Sequence, residues 1–195
     1  KYFMEMDDDF DAFYYRFDGA HRYGSFRVRA TMDRLLSALI AFYARTPILT
    51  IALSQGGDHM GGDSDGSKRP RLRRKAMGSF LLSTDRPFTF AGRINEDVNT
   101  YTNMGRQGCL FFMLMNAMLN TETTQRHAGG MTFTYLDGGT YIKSFYSVMQ
   151  CPSAVQIGAL GDPRSPQYRI HHKINWNNAA PKIIREGWKK PTLEP

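Results

Sequence analysis

Hydrophobic and polar positions change period at a few places along this chain, and each change predicts an element. Tyr2-Phe3-Met4 is an apolar lead-in that stops at Asp7-Asp8-Asp9, so a strand is expected with three carboxylates at its mouth. Asp11 to Arg29 is rich in aromatics and Arg, with Phe13, Tyr14, Tyr15, Phe17, Tyr23 and Phe26, which predicts short strands joined by the turn Asp18-Gly19-Ala20. The spacing of Met32, Leu35, Leu36, Leu39, Phe42 and Tyr43 predicts a helix over 32–45, with Thr31 as N-cap and Pro47 as its stop. Ile48 to Leu53 is a short apolar run between breakers and reads as a buried strand. A helix feeding such a strand points to α/β layering.

Beyond Ser54 the pattern loosens into a Gly, Asp and Ser loop as far as Ser67. Strand pieces are expected at Phe80–Leu82 and Phe88–Ala91, around a turn at Asp85-Arg86-Pro87. Asn95 then stands where an N-cap would be, with Glu96 and Asp97 in the first helical turn. Cys109 to Leu119 is apolar and reads as a central strand or a buried helix, with a strand through Met115 preferred. Thr140 to Met149 predicts a short helix with Tyr141, Phe145 and Val148 on one face, closed by Pro152. Ala154–Leu160 reads as a strand, and Tyr168 to Trp176 alternates so that Ile170, His172, Ile174 and Trp176 share one side and His171 and Lys173 the other.

Composition narrows the partner. With 195 residues, 42% of them hydrophobic, one domain over 1–195 is expected. No apolar stretch approaches the roughly 20 residues of a bilayer span. Cys109 and Cys151 lack metal-ligand spacing and read as reduced core thiols, which favours an intracellular setting. Twenty-five Lys and Arg against 18 Asp and Glu give a net charge of +7, which favours an anionic partner such as nucleic acid or nucleotide phosphate. Six cations stand in the eight residues Lys68–Lys75, a run that fits phosphate contact and a solvated loop equally. The chain begins without Met and inside a strand, so it is expected to be the later part of a longer protein.

Three places carry candidate chemistry. Asp7 and Asp9, at i and i+2 on a strand end, can both reach one hard cation while phosphate oxygens fill its other positions, although a solvated acidic turn also explains such a run. Gly92-Arg93-Ile94-Asn95-Glu96-Asp97 is explained in part by ordinary capping and dipole placement. In Arg169-Ile170-His171-His172-Lys173 one histidine suits a metal shell and Lys173 a phosphate; two adjacent histidines in a strand are more often one core and one surface residue.

Taken in order, the acidic strand end, the Asn-Glu-Asp helix start and the late histidine resemble the Asp-x-Asp, x-Glu-Asp and C-terminal His landmarks of GT-A glycosyltransferases. More closely, Ser83-Thr-Asp-Arg-Pro-Phe88, Gly92-Arg-Ile-Asn-Glu-Asp-Val-Asn-Thr-Tyr101, Tyr141-Ile-Lys-Ser-Phe145 and His171-His-Lys-Ile-Asn-Trp-Asn177 are similar to the phage TET/JBP-associated glycosyltransferases. The likeness runs from Lys1 to about Lys182 and is most specific at Gly92–Tyr101.

The resemblance implies a GT-A-like, Rossmann-like mixed sheet flanked by helices, with a basic Gly-rich loop at 54–76 and the earlier nucleotide-binding half of a GT-A domain missing. It implies a metal-dependent enzyme that moves a sugar from a nucleotide-sugar donor, such as a UDP-sugar, to a hydroxymethylated pyrimidine in phage DNA within an infected cell. Manganese or magnesium would sit on Asp7, Asp9 and either His172 or His171. Asp97, or else Glu96, would take the acceptor's proton. Asp8, Arg93, Lys173, Gly56 and Gly57 would meet the donor, and Arg71, Arg73, Arg74 and Lys75 the DNA. A protein Ser or Thr acceptor, a non-catalytic nucleic-acid-binding module and a metal-dependent nuclease are the rival readings.

Overall fold

The chain divides between two units in the computed structural model, one made of Lys1–Phe88, Cys109–Glu122 and Ile183–Pro195, the other of Thr89–Gly108 and Thr123–Lys182. The structure describes residues 1–29, 31–59, 72–121, 133, 137, 141–165, 168–185 and 187.

In the first unit β1 (Tyr2–Met6), β2 (Phe10–Phe17), β3 (Tyr23–Arg27), β4 (Ile48–Ser54), β5 (Ser79–Ser83) and β6 (Leu110–Thr121) form a six-stranded sheet in the order β1-β5-β4-β6-β2-β3. Only β4 and β6 pair in parallel; the other neighbours are antiparallel. This is the mixed α/β class expected from the sequence, with a parallel pair compatible with a Rossmann-like fold.

All seven residues of β4 are buried, which is why its sequence is a continuous apolar run and not an alternation. Its one interior polar side chain, Thr50, donates to the Leu81 carbonyl at 2.9 Å. Helix α1 (Met32–Ala44) lays Leu35, Leu39 and Tyr43 into a core with Ile51, Leu53, Leu81 and Phe112, and the Tyr43 hydroxyl donates to the Leu49 carbonyl. Burying each such leucine contributes about 1.5–3 kcal/mol. Thr31 occupies the N-cap position but makes no side-chain cap bond, and Phe42, expected on the buried face, is exposed.

Two strand expectations change. β6 continues past Met115 to Thr121, because β2 pairs with it from Ala117 to Thr121 on the edge away from β4. Phe88–Ala91 is not a strand: the Ala91 N–H donates to Thr100 Oγ1 and its carbonyl accepts from Asn99, so side chains satisfy the backbone that a ladder would otherwise use. Cys109 and Cys151 are free and buried, and burial pushes the Cys109 thiol up. No helix among the described residues is long and apolar enough to cross a membrane.

The second unit holds α2 (Glu96–Arg106), α3 (Ile142–Gln150), an antiparallel pair of β7 (Val155–Leu160) with β8 (Arg169–Ile174), and the short α4 (Trp176–Ala179). Trp176 leaves the β8 alternation to enter α4, where it stacks on Tyr101 with ring centroids 5.8 Å apart. The buried residues of α3 are Ser144 and Ser147, not the apolar face expected from the sequence; Phe145 is 47% and Met149 72% exposed. Small side chains allow a neighbouring element to approach that face. Gly105 on α2 is a closer case, since a methyl group there would fall on the Ala179 carbonyl oxygen.

Gly105→Ala must therefore push α2 and α4 apart and is expected to lose about 1–3 kcal/mol. Urea midpoints check this against Gly19→Ala, where nothing lies within 4 Å of the added carbon and little change is expected.

Candidate active site

Strand directions bring several of the candidate residues of the first unit to one edge. β1 and β4 are each antiparallel to β5, so they run the same way, and β6 is parallel to β4. Ligands of open α/β sheets bind outside the carboxyl ends of such strands. At that edge Asp7-Asp8-Asp9 leaves β1, and Gln55-Gly56-Gly57-Asp58-His59 leaves β4 as a single 3₁₀ turn over Gly56–His59.

The acidic segment also has to bridge the sheet. β1 and β2 stand four places apart in the strand order. In a flat sheet that is roughly 19 Å, whereas the four residue steps from Met6 to Phe10 reach at most roughly 14 Å. The sheet is therefore coiled, helped by bulges in β2 near Phe10–Ala12 and at the β4–β6 junction. The segment is tied down at its start, where the Asp7 N–H donates to the Gly78 carbonyl at 3.1 Å. Gly78 has φ +66°, and a methyl group there would stand 3.2 Å from Asp7 Oδ2 and on the Gln55 amide. Asp9 is partly buried, and its Oδ1 is enclosed with no hydrogen-bond partner among the described residues. A carboxylate oxygen removed from water is costly unless a cation or donor completes it.

Side-chain bonds hold the turn after β4. The Asp58 carboxylate accepts from the Gln55 N–H at 3.0 Å and lies 4.0 Å from the Arg74 guanidinium. His59 is buried with Nε2 2.8 Å from Ser54 Oγ, which also lies 3.0 Å from the Ala117 carbonyl and 3.3 Å from that of Met115 in β6. The single Ser54 hydroxyl hydrogen serves a carbonyl, so the His59 ring donates to Ser54. Gly56 and Gly57 are exposed, have no positive φ, and have nothing within 4 Å of an added carbon, so neither crowding nor backbone geometry requires glycine there. Within the basic run, Arg73 is exposed, Arg74 faces Asp58 and Lys75 is partly buried; Arg71 lies outside the described residues.

In the second unit Gly92 (φ +82°) packs against Tyr146, where a methyl group would fall 2.7 Å from the ring. Asn99 donates to the Ala91 and Ile94 carbonyls and fixes the loop that leads into α2. Arg93 and Glu96 are exposed, and Asp97 is partly buried with Oδ1 accepting from the Val98 N–H. Asn95 does not cap α2; its Nδ2 donates to Ser147 Oγ at 2.6 Å and faces His172 Nδ1 at 3.4 Å. His172 is buried, and the partly buried His171 ring lies 4.1 Å from it. Lys173 is exposed on the opposite face of β8.

Asp7 and Asp9 thus belong to the first unit, and Asp97, Glu96, His171 and His172 to the second. Among the described residues no three of His, Cys, Asp and Glu gather as a ready cation site. The Ser54–His59 pair and the sideways Asn95 were missed in the sequence. A histidine closely following a buried apolar strand hints at the first, while nothing in sequence marks the positive φ of the second.

A mixed sheet with carboxylates at the edge where its parallel strands end is an arrangement of Rossmann-like α/β proteins. The chain matches the model of the TET-associated glycosyltransferase family over residues 1–130, two thirds of its length, and belongs to that family. The match takes in the acidic edge and α2 and ends before α3 and the β7–β8 pair. No curated protein and no solved structure matches the chain.

Ser54→Ala would remove the hydroxyl that faces His59 Nε2 and its bond to β6, so it is expected to cost about 1–3 kcal/mol. Urea unfolding measures it, and Ser37→Ala on the exposed face of α1 is expected to stay within about 0.5 kcal/mol of wild type.

Proposed function

We propose that this chain transfers a sugar from a nucleotide-sugar donor, a UDP-sugar, to a hydroxyl group on hydroxymethylated pyrimidine DNA, with donor diphosphate bound at the acidic edge of the first unit. Family membership supports the transferase class. The observation that carries the donor site is the enclosed Asp9 Oδ1, which has no hydrogen-bond partner among the described residues and lies two residues from Asp7 at the carboxyl end of β1.

These residues fit a divalent cation. Hard cations take oxygen ligands, and magnesium-type sites use one or two carboxylates with water and substrate phosphate filling the rest. Manganese or magnesium held by Asp7 and Asp9 would offset the charge that grows on the leaving diphosphate. Asp8 borders the same edge, and the bare backbone at Gly56 and Gly57 leaves room for the donor beside the turn that Asp58 closes. In the reaction a bond forms from the acceptor oxygen to the anomeric carbon as the bond to the diphosphate oxygen breaks, and the acceptor's proton passes to a carboxylate. Asp97, with Glu96 as the alternative, is proposed for that proton on its place in the motif, as are Arg93 and Lys173 for phosphate. Arg71, Arg73, Arg74 and Lys75 are proposed, on their place in the basic run, to face the anionic acceptor.

Isothermal titration of a UDP-sugar is expected to show binding only with manganese present, weakened at least tenfold in Asp7→Ala/Asp9→Ala and unchanged in Glu5→Ala. Manganese-dependent binding that survives loss of both aspartates overturns the donor site. A hydroxymethylated oligonucleotide incubated with donor should gain the mass of one sugar; strand cleavage instead would identify a nuclease.

A further inference from the structure

Asn95 holds a left-handed backbone, φ 57° and ψ 39°, at the position that should cap α2, yet gives the helix no side-chain bond. Such φ values are uncommon outside glycine, and asparagine is among the few residues that adopt them. A backbone outlier held by its surroundings is a reason to ask what its side chain does. Here the amide reaches sideways, so that one residue at the start of α2 links Ser147 of α3 and His172 of β8.

We propose that Asn95 is a positioning residue that fixes the tautomer of His172, holding the neutral ring with its hydrogen on Nε2. A neutral imidazole has one N–H and one lone pair. The Asn95 Nδ2 group is a donor, and it faces Nδ1 at 3.4 Å, so the lone pair belongs on Nδ1 and the hydrogen on Nε2. His172 is only 6% exposed, so water does not readily replace the amide as Nδ1's neighbour. The second Nδ2 hydrogen goes to Ser147 Oγ at 2.6 Å, which anchors the amide in this orientation.

The chemical consequence concerns what Nε2 can do. With its hydrogen there, Nε2 of His172 can act only as a hydrogen-bond donor and offers itself neither as a cation ligand nor as a proton acceptor. A metal-binding histidine needs the reverse, with the other ring nitrogen donating to an acceptor, and Asn95 would have to present Oδ1 to provide it. The orientation of one amide therefore separates a donor histidine from a ligand histidine. This holds whether or not the chain transfers sugar.

The test is long-range proton–nitrogen NMR on the full 195-residue chain labelled at histidine, at about pH 8, above the ordinary imidazole range. His172→Gln assigns the ring by removing its signals. In wild type, Nδ1 is expected at the shift of a lone-pair nitrogen and Nε2 at that of an N–H nitrogen. Asn95→Asp tolerates the same backbone but presents only acceptors, so the two shifts are expected to exchange. Asn95→Gly keeps the backbone without the amide and should give averaged shifts. Hydrogen on Nδ1 in wild type overturns the proposal, as does an unchanged ring in Asn95→Asp. If Asn95→Asp does not fold, Asn95→Gly decides: loss of the preference supports the proposal, and its retention overturns it.

Discussion

Complete burial of β4 is the constraint on which the first unit rests. A strand with neighbours on both edges and side chains covered on both faces leaves no polar group to water, so each must be met inside. Thr50 donates to Leu81, the Leu53 N–H donates to Ser79 Oγ, and Ser54 Oγ reaches the Ala117 carbonyl of β6. These bonds set the register of three strands. They also fix where β4 ends, and so where the glycine-rich turn begins.

The acidic edge follows from that frame. Asp7 is held through Gly78 beside the end of β4, and Gln55 is held by Asp58 on the other side of the same approach. The carboxylates are thus carried by backbone that is itself hydrogen-bonded, which is what a site for diphosphate requires if it is not to reorganise on each encounter. Within the second unit polar bonds add to the apolar cluster around Cys151, Ala154 and Val155: Asn99 fixes the loop before α2, and Asn95 joins the start of α2 to Ser147 of α3.

Much of the first unit was legible because burial writes itself into sequence. The apolar run Ile48–Leu53 and the Leu35, Leu39 and Tyr43 spacing name β4 and α1 almost to the residue. Asp7-Asp8-Asp9 could be assigned to a strand end because an apolar lead-in precedes it. The failures share a cause, namely that the deciding partner is distant in sequence. β6 runs past Met115 because β2 pairs with it there, Phe88–Ala91 is not a strand because α2 supplies bonds to Ala91, and α3 buries Ser147 where Asn95, some fifty residues earlier, bonds it. Asn95 has the right residue type and position for a cap, and only φ and its distances to Ser147 and His172 reveal another use.

The parallel pairing of β4 with β6 also bears on how the chain is made. Ile48 pairs with Leu110, so one edge of β4 has no partner until some sixty further residues have left the ribosome, among them those of α2. The sheet cannot close as its strands are synthesised in turn, and an apolar edge stays open through that interval. The faster the intervening residues are made the shorter that exposure lasts, and a truncation ending before Leu110 would leave the edge open for good.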